Sequence, residues 1–205
     1  MASKVVSKAE GRTVRLGDVT PGEEARRIAE QGKDPRLVQL VLDEAAEVVR
    51  AERGVLVVET HHGFVCANAG IDLSNLPGDD TALLLPQDPD ASARALRDGI
   101  ARRPAILITD SFGRAWRVGQ VDVAIGAAGV RALDDWRGRP DAHGRELRAT
   151  VQAVGDAIAA MADLARSKDA NEPVVLVRGL ERFVTLDDGP GAAVLRRQRP
   201  DDLFR

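Results

Sequence analysis

The feature that most restricts how this chain can fold is a junction that occurs twice, a short apolar run that stops at an aspartate followed by hydroxyl side chains. Residues 64–67 (FVCA) give way to Asn68, Gly70, Asp72, Ser74 and Asn75, and residues 105–109 (AILIT) give way to Asp110 and Ser111. Short apolar runs bounded by turn formers read as buried strands. An ordinary strand-to-turn junction has the same composition for conformational reasons alone. Recurrence at a second strand end favours a loop that offers oxygen ligands to a hard cation such as Mg²⁺ or Mn²⁺.

Helical patterns lie between these runs. Thr20, Pro21 and Glu23 carry the signature of a helix start, which predicts a helix to about residue 31. Asp34 and Pro35 begin a second, with Val38, Val41, Leu42, Ala45, Val48 and Val49 on one face, so this amphipathic helix is expected to run to about 49 and pack on a sheet. Asp88 and Pro89 begin a third, to about 103, and residues 151–166 carry an alanine-rich fourth. Strands are expected at 4–6, 55–59, 64–67, 83–85, 105–109, 121–130 and 174–177, those at 55–59 and 64 pairing as a hairpin across His61, His62 and Gly63. The two histidines read as solvent-exposed turn residues. The small residues of 121–130 suit a tightly packed strand, in the core or at a subunit contact. Residues 131–144 read as a surface excursion, and the tail from Asp187 as a loop followed by a short helix or coil. Strands and helices are interspersed without the alternation of a doubly wound sheet, so the predicted class is α+β, as a single domain over 1–205 in which two subdomains are conceivable.

Composition narrows the function. With 44% hydrophobic residues the 205-residue chain can bury one good core or two modest ones. A net charge of -3 advertises neither a nucleic-acid nor an anionic-membrane partner. The single cysteine, Cys66, forbids an intrachain disulfide and sits in a strand as a small hydrophobe, which fits a reducing cytoplasm. No apolar stretch reaches the ~20 residues of a membrane span, and the start lacks a signal-peptide layout. Neither a GxxxxGK[ST] loop, a GxGxxG loop nor a GxSxG elbow is present, and three histidines with one cysteine argue against a zinc or thiol enzyme. Asp72 and Asp110 with nearby Lys8, Arg114 and Arg117 remain, the residue types a metal-bound polyphosphate site needs. Read singly, each base is equally a surface charge paired with a neighbouring acid.

Five segments, SKVVSKAEGR at 3–12, ANAGIDLSN at 67–75, ITDSFGRAWRVG at 108–119, DAHGREL at 141–147 and PVVLVRG at 173–179, together resemble the coenzyme F420:L-glutamate ligase family of gamma-glutamyl ligases. The resemblance runs in order over nearly the whole chain. It implies a GTP-dependent ligase that adds L-glutamate to the deazaflavin cofactor precursor, then further glutamates through gamma linkages, with release of GDP and phosphate. By similarity Asp72 and Asp110 hold one Mg²⁺ or Mn²⁺ and Ser111 a second. Ser3, Lys8, Asn75 and, from the loop at 167–171, Lys168 contact the nucleotide, Arg114 takes a catalytic role beside the aspartates, and K⁺ is a further candidate ion. The family is an intertwined homodimer, for which the small-residue run at 124–129 would suit a contact. Relatives begin before the first of these segments, so the chain is expected to be short at its N-terminus, and with no nitroreductase-like domain FMN is not expected. The alternative is a relative that binds metal and nucleotide but is catalytically idle or differently specific.

Overall fold

The computed structural model describes residues 1–205 except Asn75, Pro77, Asp79, Lys168, Ala170, Phe204 and Arg205. In chain order the elements are α1 (Ser3–Ala9), β1 (Thr13–Arg15), α2 (Glu23–Ala29), α3 (Pro35–Asp43), β2 (Ala45–Glu52), β3 (Val55–Thr60), β4 (Val65–Ala67), β5 (Thr81–Leu83), α4 (Pro89–Asp98), β6 (Ile106–Arg114), β7 (Arg117–Ala128), β8 (Leu133–Asp135), β9 (Val151–Ala153) and α5 (Val154–Leu164). Among the described residues the strands form one three-stranded sheet and three two-stranded ones, and helices are interspersed along the chain, so the fold is α+β as expected. Among the described residues no helix is long and apolar enough to cross a membrane.

The chain divides into two compact units. The first comprises Met1–Ala2, Pro89–Ser111 and Val121–Gln198, the second Ser3–Asp88, Phe112–Gln120 and Arg199–Arg205. In the second unit β2, β3 and β4 form an antiparallel meander, and Ala25, Ile28, Val38, Val41, Leu56, Val58 and Ala69 make a core with α2 and α3 on the sheet. Strand β1 pairs antiparallel with β5, placing Val14 opposite Ala82 over Leu16 and Leu40. In the first unit Ala124, Ala127, Val130, Val154, Ala159, Phe183 and Ala192 form the core. Asp90, in the first turn of α4, ties that unit together by accepting from the backbone N–H of Ala127 at 2.8 Å and of Ala192 at 2.7 Å. Gly126 permits the approach: a Cβ there would collide with the carbonyl of Pro89 at the start of α4.

Several expectations change. Residues 3–9 form a helix where the paired valines suggested a strand, with Val6 and Ser7 buried on its inner side. The second helix begins only at Glu23, capped by the backbone of Gly22, so Thr20 is not its N-cap. Asp34 does cap α3, accepting from the Arg36 N–H at 2.8 Å, but the helix stops at Asp43 and residues 45–52 are a strand. The helical spacing of Val48 and Val49 was fortuitous; both are β-branched and favour the pleated sheet. Helix α4 likewise ends at Asp98. The run 174–177 is extended without strand pairing and exposes Val174 and Leu176, so it is not a buried strand. Residues 151–153 join the surface excursion as β9, antiparallel to β8. In the 124–129 run Ala124, Ile125, Ala127 and Ala128 are buried, in keeping with the core alternative.

Candidate functional site

The first junction is built in the second unit. After β4 the chain passes through Asn68, Ala69 and Gly70, all in the left-handed region at φ 51°, 54° and 69°. For Asn68 and Ala69 this conformation is strained, and strain of this kind gathers where a loop must aim a side chain. Lys33 steadies the turn by donating to the Asn68 side chain at 3.1 Å, and Asp72 then exchanges two backbone hydrogen bonds with Leu83 on β5. Helix α1 brings Lys4 to the carboxylate: Nζ lies 2.5 Å from Asp72 Oδ2 and donates to Ser74 Oγ at 2.8 Å. The Ser74 N–H donates to Asp72 Oδ1 at 2.7 Å. Burial pushes the Asp72 carboxyl up, but the Lys4 ammonium and the donors of Ser74 outweigh it, and the pKa falls below its ordinary value. Asp72 is therefore an ionised oxygen donor, about 30% exposed, with an ammonium on its flank.

Ser3 precedes Lys4 on α1 and is buried, while Lys8, one turn further on, is exposed. Asn75 and Lys168 lie outside the described residues. Lys4 was missed in the sequence, although its i, i+4 spacing from Lys8 was a usable signal.

The second junction lies in the first unit, and here a correction is needed. Asp110 does not stand where a strand stops; it is inside β6, which continues to Arg114. The pleat sends Thr109 and Ser111 to one face and Asp110 to the other. On the shared face Asp122 of β7, only 2% exposed, accepts hydrogen bonds from Thr109 Oγ1 at 2.8 Å and Ser111 Oγ at 2.6 Å, and pairs with the Arg166 guanidinium beyond the end of α5. Ser111 thus gives its hydroxyl proton to Asp122. Asp122 and Arg166 were also missed; the signal was an acid inside the apolar run VDVAI, since a buried carboxylate requires partners. Asp72 and Asp110 thus belong to different units, and the structure brings together Asp72 with Lys4, and Ser111 with Asp122.

Arg114 ends β6 in the Phe112–Gln120 tip, exposed, with Nη2 donating to the Val118 carbonyl at 2.6 Å. Cys66 is buried as expected. Of the two histidines, His61 is exposed, but His62 is half-buried, stacks on Phe64 with ring centroids 5.7 Å apart and sits 3.0 Å from the Pro86 carbonyl, so it is not a solvent-exposed turn residue.

Each junction, taken by itself, offers oxygen donors of the kind a hard divalent cation prefers. In the second unit Asp72 offers an ionised carboxylate, and in the first Ser111 offers a hydroxyl oxygen, each an oxygen donor. Among the described residues no group of three or more His, Cys, Asp or Glu is assembled. A cation held at Asp72 alone would complete its shell from water and substrate phosphate oxygens, as Mg²⁺ ordinarily does.

Residues 1–179 match the family model described as F420-0:Gamma-glutamyl ligase. The chain is similar to proteins named coenzyme F420:L-glutamate ligase. That of Methanothermobacter thermautotrophicus is 44% identical over 211 residues, covering 100% of this chain and 83% of the relative. Those of Haloarcula marismortui and Archaeoglobus fulgidus are 43% and 46% identical, again over 100% of this chain and 82% and 83% of theirs.

Proposed function

The chain belongs to the F420-0:gamma-glutamyl ligase family, and from that premise we propose that it joins L-glutamate through amide bonds to the coenzyme F420 precursor, with GTP as phosphoryl donor. The observation that carries the reading is the Lys4–Asp72 pair, an ionised, partly exposed carboxylate beside an ammonium at the end of a strained turn.

A carboxylate does not condense with an amine unaided. Transfer of the γ-phosphoryl group of GTP to the carboxylate oxygen breaks the bond to GDP and forms an acyl phosphate. The glutamate amine then attacks the acyl carbon, the C–N bond forms, phosphate leaves and the amine proton passes to solvent or phosphate. Such chemistry is mostly positioning and charge neutralisation and needs no protein nucleophile. Asp72 and Asp110 would hold one Mg²⁺ or Mn²⁺ and Ser111 a second, with K⁺ a further candidate. Bound there, the divalent cation would neutralise phosphate charge. Lys4 and Lys8, from α1, and Arg114 supply positive charge to the phosphate oxygens, and Lys4 is free to turn from Asp72 toward them when a cation replaces it. Ser3, Asn75 and Lys168 are proposed nucleotide contacts. We further propose that the protein works as a homodimer in the cytoplasm.

The test is incubation with F420-0, L-glutamate, GTP and Mn²⁺, followed by mass spectrometry. A glutamate-dependent mass gain with release of GDP is expected. GTP turnover on another acceptor, or nucleotide binding without turnover, contradicts the reading.

A further inference from the structure

The turn joining β6 to β7 breaks a local rule. Its two connecting residues are Ala115 and Trp116, and Trp116 sits at φ +57°, in the left-handed region that suits glycine or asparagine. Burial of the indole would offset that strain, yet Trp116 is 78% exposed. A strained backbone under an exposed aromatic ring is expected where a residue serves a ligand. The setting says which kind. The tip Phe112–Gln120 carries two arginines and no acid in a chain whose net charge is -3. Arg114 and Arg117 stand on either side of the Ala115–Trp116 turn in the sequence, and Arg114 is held by its hydrogen bond to the Val118 carbonyl. Phe112 braces the base of the tip edge-on against Phe64, ring centroids 6.0 Å apart.

We propose that Trp116 is a stacking platform, with Arg117 and Arg114 as its anion-holding flanks, for a planar heteroaromatic ring that carries phosphate. Aromatic faces stack on such rings with little demand on their identity, and guanidinium groups grip phosphate. The inference rests on the ligase reading, in which two substrates share this chemistry: the deazaflavin precursor with its phosphate linkage, and GTP.

Binding of F420-0, and separately of a non-hydrolysable GTP analogue, is measured by isothermal titration calorimetry on the wild type, Trp116→Phe and Trp116→Ala, each with Mg²⁺ and without turnover. Loss of one stacked ring corresponds to roughly tenfold or more in Kd, so Trp116→Ala is expected to weaken one of the two ligands by about that factor while Trp116→Phe keeps most of the affinity. A drop with F420-0 assigns the platform to the precursor, a drop with the analogue assigns it to the nucleotide, and either supports the inference. Unchanged Kd for both overturns it. So does an effect confined to oligomeric state in size-exclusion chromatography with light scattering, which would make the indole a contact with a second copy. Because binding is read apart from ligation, a wild type that binds through Trp116 but never transfers glutamate sinks the ligase reading alone. A Trp116→Ala variant that binds and ligates normally sinks this inference alone.

Discussion

Asp72 and Asp122 are both paired with a cationic side chain, yet they do different jobs. The side chains of Asp72 and Lys4 are each close to 30% exposed, whereas those of Asp122 and Arg166 are 3% and 12% exposed. An accessible pair gains little from its own attraction and exchanges partners readily, so its ammonium can give way to a cation or a phosphate. A buried pair is locked, because removal of either member strands the other's charge out of water. One carboxylate stays open to solvent, and the other fastens strands β6 and β7 to the segment after α5. Two acids in similar apolar contexts are told apart by what surrounds them.

The largest effect should break the buried member. Asp122→Asn leaves Arg166 with only the longer contact to Asp163 at 3.7 Å and is expected to cost about 3 kcal/mol of stability, read as a lowered denaturant midpoint. Adding Arg166→Leu should restore part of the loss; a single variant as stable as the wild type would erase the distinction. At the accessible member the balance reverses. Asp72→Asn should lower glutamate transfer by about 100-fold while stability changes by about 1 kcal/mol or less, as measured by turnover and thermal melting on one preparation. Full turnover at limiting metal would remove Asp72 from the site.

How much of this was legible depended on which signal a segment carried. The strand at Cys66 and the turn that follows it could be read because apolar residues gave way abruptly to turn formers. The α3 to β2 boundary could not be read from periodicity, since Ala45, Val48 and Val49 fit the helical face as well as the strand. The decisive signal was the turn at Arg53 and Gly54, both left-handed at φ 53° and 72°, which folds β2 onto β3. For α1 the two valines pointed to a strand, and tertiary burial of Val6 overrode that local preference. In the site, Asp72, Asp110 and Ser111 were singled out by residue type and by resemblance. Lys4 and Asp122 left faint signals, a helical spacing and an acid inside an apolar run, but their partners become visible only once α1 and β7 bring distant residues together.

Asp188 offers an intermediate case, a partly exposed carboxylate on the buried guanidinium of Arg97 at 2.5 Å. The hydrogen bond from Arg97 holds the Asp188 carboxyl below its ordinary value. A depressed folded-state pKa contributes stability that is present above the unfolded value, near pH 4, and lost as pH falls through the folded one. Asp188→Asn should therefore flatten the acid limb of the stability profile below about pH 4. An unaltered acid limb in urea titrations would show that the pair adds nothing to acid stability. The smallest effect is expected at His61, exposed at the hairpin tip, where His61→Ala should leave turnover within about twofold. A large loss with normal folding would mean the histidine touches a ligand.

The most direct test of the cation site is Mn²⁺ binding followed by electron paramagnetic resonance in the presence of GTP, comparing the wild type with Asp72→Asn. Loss of a ligating carboxylate should weaken Mn²⁺ binding by about tenfold or more, with the protein still folded. Equal affinity in the two proteins would contradict the assignment of Asp72 as a metal ligand.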